Sequence, residues 1–100
     1  MADSAITLYR GAAATSNTTL YTSPTNMAIG ITNIAIVNDS TSAVTATINL
    51  ATIPLLGSIS VPANSTQFID LDQIIYNGET ITGSASTTAV DFHIAGYEVY

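Results

Sequence analysis

Turn residues punctuate this chain about every ten positions, and nothing between them repeats with a helical period. The punctuation is GAAATSN at residues 11–17, Ser23-Pro24-Thr25-Asn26, the stretch 39–42, Pro62-Ala63-Asn64-Ser65, Asn77-Gly78 and Thr87-Thr88. The segments between are rich in Val, Ile, Thr and Tyr, which suit a pleated surface. No window sets apolar residues three and four apart with good helix formers between them. Short strands at even spacing predict an all-β chain, a single antiparallel β-sandwich or jelly-roll-like domain of about eight strands. At 100 residues it is one domain.

The predicted strands are 6–10, 19–22, 28–38, 43–51, 58–61, 66–71, 80–86 and 89–100. Residues 1–18 form an N-terminal arm or first strand plus loop of the same domain, and 19–100 the sandwich. The segment 28–38 reads as apolar on both faces, with Ile34 and Ile36 on one and Ile29, Ile31, Ala35 and Val37 on the other. Such a strand is central, or one face meets another subunit. The segment 43–51 alternates instead: Val44, Ala46, Ile48 and Leu50 inward, Thr45, Thr47 and Asn49 outward. Across the turn at 39–42 these two segments are expected to pair as a hairpin, and 80–86 with 89–100 likewise. Residues 53–57 read as an apolar connector, because Pro54 excludes the middle of a sheet. Phe68 is a core candidate, and the last strand is expected to be ordered through Val99 and Tyr100.

Charge narrows the function classes. Arg10 is the one cation against seven acids, giving a net charge of -6. Binding to phosphates needs Lys or Arg, so nucleic acid and anionic membrane surfaces are not expected partners. The N-terminus has no basic region and no apolar run, so it does not read as a signal peptide, and no stretch is long enough to span a membrane as a helix. Without cysteine there is no thiol catalysis and no disulfide. Solubility falls to neutral polar groups, 16 Thr and 10 Ser. The three glycosylation-type triplets, at Asn17, Asn38 and Asn64, are coincidences of that composition.

No constellation of catalytic residues emerges. His93 and Asp91 share a strand face, but neither a nucleophile nor a metal partner accompanies them. Asp70 and Asp72 could begin a cation site only if Asp39 or Glu79 joined them, because calcium takes six to eight oxygens. The glycines form no phosphate-cradling pattern, and neither a Gly-x-Ser-x-Gly elbow nor a Ser-x-x-Lys motif is present. An enzyme is therefore not expected, nor a cofactor or bound metal. Sandwiches guard their edge strands with Lys, other charges or Pro. This chain has no Lys, and 47% of it is apolar, so its exposed strands call for cover. Tyr suits subunit contacts, and the N-terminal segment 2–10 is expected to reach a neighbour, with Arg10 pairing an acid there. The candidate interface residues are Ile6, Tyr9, Arg10, Tyr21, Tyr97 and Tyr100.

One resemblance adds to this. Leu20-Tyr21-Thr22 before a turn, a strand ending in Asn38, the Thr-rich strand 45–50, Leu71 ahead of the turn at 77–81, and the closing Gly96 to Glu98 together resemble small virion proteins of tailed bacteriophages. The match runs over about residues 18 to 99, in turn and strand motifs, and departs from the pattern in its lysine-free surface and in Ser23-Pro24-Thr25-Asn26. It implies a structural, non-enzymatic role as a capsid decoration (cement) protein: a homotrimer on the virion head, made in the bacterial cytoplasm, with the major capsid protein and its own copies as partners. A tail, neck or fibre module holding host glycans is the alternative it implies.

Overall fold

The structure is a computed structural model, and it describes residues 3–99. Eight strands follow in order: β1 (Asp3–Ala12), β2 (Thr18–Thr22), β3 (Ala28–Asn38), β4 (Val44–Leu50), β5 (Ile53–Val61), β6 (Ser65–Tyr76), β7 (Thr80–Ala85) and β8 (Val90–Val99). They form two four-stranded sheets, β1-β8-β3-β6 (sheet A) and β2-β7-β4-β5 (sheet B), in which all neighbours are antiparallel. The chain is an all-β sandwich with the strand order of a jelly roll. The core between the sheets holds Phe92, Ile29, Ile31, Ile34, Ile36, Ile48, Ile75, Ile81 and Ile94, all fully buried. Each such side chain contributes roughly 1.5–3 kcal/mol of transfer free energy.

Several expectations change here. The segments 28–38 and 43–51 do not pair: β3 lies in sheet A between β8 and β6, and β4 lies in sheet B. The final two strands also separate, β7 into sheet B and β8 into sheet A. Turn residues reverse the chain, but they do not say whether it returns beside its predecessor or across the sandwich. The one connection that stays within a sheet is β4 to β5, turning on Ala51 (φ 50°) and Thr52 (φ 67°). Neither residue favours a left-handed backbone, so the sequence carries no hairpin signal there. The expected connector 53–57 is thus the first half of β5, and Pro54 is tolerated because β5 is an edge. β6 extends five residues beyond the predicted strand, to Tyr76.

β3 has one apolar core face, not two. Thr32 is skipped in both of its ladders, between Ile31↔Gln73 and Asn33↔Asp70 on one side and Ile31↔Gly96 and Asn33↔Ala95 on the other. That extra residue shifts the alternation by one. Ile29 and Ile31 before it and Ile34 and Ile36 after it therefore all point into the core. In β4 the alternation holds as read: Val44, Ala46 and Ile48 are buried, and Leu50 packs against them.

Segment 3–12 is no free arm. It is the edge strand of sheet A, paired along its length with β8 from Asp3↔Val99 to Ala12↔Asp91.

Candidate interaction surface

The outward faces of the two sheets differ. Sheet B shows hydroxyls and amides, with Thr45 opposite Ser60, Thr47 opposite Ser84, and Asn49 opposite Thr82. Sheet A shows cross-strand rows of mixed character that end in large apolar groups on β6. One row is Arg10, His93, Ala35 and Phe68; another is Ala5, Tyr97, Gly30 and Ile74. A third runs from Val99 through Ala28 to Tyr76. Between the first two lies a row of Thr7, Ala95, Asn33 and Asp70.

Phe68, Ile74 and Tyr76 on β6 are 68%, 53% and 49% exposed. Phe68 is therefore not a core residue. Strict alternation in β6 sends Ile69, Leu71 and Ile75 inward and Phe68, Ile74 and Tyr76 outward. The central strand β3 keeps the face low with Ala28, Gly30 and Ala35. At Gly30 a side chain would fall inside the Tyr97 ring, which leans over the glycine. Asp70 sits among the exposed apolar groups and accepts from the Asn33 Nδ2 at 3.0 Å.

Of the proposed interface residues, Arg10 and Tyr97 lie on this face. Arg10 is opposite His93 in register, and its Nε donates to the His93 Nδ1 at 3.2 Å. Within one chain, then, Arg10 meets the only histidine; the acid expected for it was one on a neighbouring copy. Ile6, Tyr9 and Tyr21 are half-buried against the core. The Tyr9 hydroxyl donates to the Ala12 carbonyl at 2.9 Å. Tyr100 lies outside the described residues, as does Ala2. The sequence reading missed Phe68 as a surface group, together with Ile74 and Tyr76. The signal was ambiguous because Ile69, Leu71 and Ile75 make both faces of β6 apolar.

Burial and, second, the nearby Glu98 carboxylate push the Tyr21 phenol above its ordinary value. A raised folded pKa favours the protonated phenol, so the stability it lends is complete below pH about 10 and is lost as pH rises through the folded value. Tyr21→Phe is expected to flatten the alkaline limb of a stability-against-pH curve. An unchanged limb would show that Tyr21 does not set it.

Asp70 and Asp72 gain no third ligand: no group of three or more His, Asp or Glu able to hold a metal occurs among the described residues. A pocket of about 150 Å³ lies where the β3–β4 and β5–β6 turns meet, lined by Val37, Asn38, Asp39, Asn64, Ser65 and Thr66. It offers one carboxylate, and the Asn38 amide on its wall is engaged by backbone groups and the Ser40 hydroxyl.

No protein-family model matches the sequence, and no curated protein matches it either. Among solved structures the chain is similar to the core of Drosophila NLP, at a TM-score of 0.58 and 13% identity over 98% of both chains. That structure is described as giving insight into pentamer formation and histone binding. It overturns the expectation of a phage head-decoration or tail protein, and with it the capsid-protein partner and the homotrimer. The motifs behind that expectation are turns and strand ends, which one architecture carries into many roles.

Proposed function

We propose that this chain is a non-enzymatic, self-assembling acidic scaffold that binds a basic protein, of which a histone is the model partner. The observation that carries this is the pairing of a net charge of -6, with one cation in the whole chain, and the exposed apolar side chains Phe68, Ile74 and Tyr76 along one edge of sheet A. The first attracts Lys- and Arg-rich chains and repels acidic ones. The second is the surface that repeated copies would cover. The fold likeness to a pentamer-forming, histone-binding core supports both halves.

Native mass spectrometry of the full chain is expected to show a ring-sized assembly, with five copies as the favoured number. Core histones should bind to it and serum albumin should not. Raising salt from about 0.1 M to 1 M shortens the screening length about threefold and should release the histones. A monomer that binds histones no better than albumin would overturn the proposal.

A further inference from the structure

We infer that copies of this chain meet head to tail along sheet A, the β6 side of one against the β1 side of the next, with Arg10 entering the Phe68–Asp70 patch. This rests on the self-assembly just proposed and names its surface.

The four sheet edges are unequal. β5 is closed by Pro54 and by the left-handed backbone of Ser58 (φ 52°). β2 has only five residues and a register shift. β1 has a shift between Thr7 and Tyr9. β6 also has a shift, between Asp70 and Gln73, but it is the longest strand, with twelve residues, no proline and no left-handed residue, and it carries three of the four large apolar side chains most exposed in the fold.

Charge then selects the occupant. Pairing β6 with another β6 would bring Asp70 and Asp72 of both copies together, which like-charge repulsion disfavours. The opposite edge of the same sheet holds the chain's one cation. Arg10 and Phe68 stand at the two ends of a single cross-strand row, and Asp70 is in the next row. Continuing that row sideways into a second copy sets its Arg10 beside Phe68 and Asp70. A guanidinium there gains the ring face and the carboxylate together. Within the chain the Arg10 Nε donates to the His93 Nδ1. A contact joining two different edges is heterologous: it closes into a ring when the rotation between copies closes, and otherwise runs on as a filament.

Charge exchange tests this, read by native mass spectrometry and sedimentation of the full chain, with thermal melts to verify folding. Arg10→Glu and Asp70→Lys are each expected to weaken assembly about tenfold or more. The double variant should return to within about threefold of the parent. Phe68→Ser, at an exposed site, should weaken assembly without lowering the melting temperature. A parent that is monomeric at every concentration would overturn self-assembly and this contact together. A parent that assembles, with single variants that assemble equally well, overturns the contact and leaves self-assembly standing. Variants that assemble normally but lose histone binding would instead give the patch to the basic partner, and the contact falls. A double variant that stays dissociated overturns the Arg10–Asp70 pairing.

Discussion

Gly96→Ala is expected to cost about 3–5 kcal/mol, a large part of what holds a domain of this size together. β8 is flanked on both sides, and Gly96 is opposite Ile6 of β1 and Ile31 of β3. A methyl group there would land on the Gly30 carbonyl oxygen and within 3.0 Å of the Leu8 Cδ1. Leu8 could move, but the Gly30 carbonyl belongs to the adjacent strand of the same sheet and cannot move without disturbing the ladder. The residue is glycine for lack of space. Gly57→Ala is the matched control: it sits on the edge strand β5, and a methyl group there meets nothing within 4 Å. It should be neutral, or stabilise by up to about 1 kcal/mol by narrowing the unfolded ensemble. Urea unfolding of both variants decides the matter. Equal stabilities would mean that β8 has slack where the structure shows none.

The second large effect is expected at Asn38, the last residue of β3, which is only 1% exposed. Its Nδ2 donates to the carbonyls of Ser42 (2.8 Å), Val61 (3.1 Å) and Pro62 (3.0 Å). Its Oδ1 accepts from the Ser40 backbone N–H (3.0 Å) and the Ser40 hydroxyl (2.6 Å). One side chain thereby ties the β3–β4 turn to the end of β5, across the two sheets. Asn38→Leu keeps the branched outline of the side chain, though it is bulkier, and leaves those groups without partners, at about 1–3 kcal/mol for each group that water cannot reach. A total loss of about 3–4 kcal/mol is expected in thermal or urea unfolding. Asn38→Asp should be similarly poor at neutral pH, because a carboxylate would face three carbonyl oxygens and has no N–H to give. Acid should restore part of the loss by supplying a donor proton. An Asn38→Leu protein within about 1 kcal/mol of the parent would refute the bridging role.

Local features of the fold were legible in the chain. Its β class, its eight strands and most of its turns follow from where Val, Ile and Thr give way to Gly, Pro, Asn and Ser. The inward residues of β4 could be read directly, since only one of its faces is apolar. Three readings differ from the structure. The face of β3 was misread because the bulge at Thr32 has no residue signature. The β4–β5 hairpin was missed because Ala51 and Thr52 are poor turn residues. Phe68 was placed in the core because β6 is apolar on both sides. For β3 and β6 strand partners distant in sequence decide the local geometry; for the β4–β5 hairpin the left-handed pair Ala51-Thr52 does.

The candidate surface divides the same way. The chain alone declared one cation, seven acids and more apolar residues than charge could solubilise. It could not say that Arg10 and Phe68, 58 residues apart in numbering, end the same row of a four-stranded sheet. Sequence determines how each segment alternates and where the chain must turn, because these depend on a residue and its near neighbours. Which sheet a strand joins, and so which side chains share a face, was decided only by tertiary structure, because both sheets bury strands of the same pattern and only the packed sandwich distinguishes them.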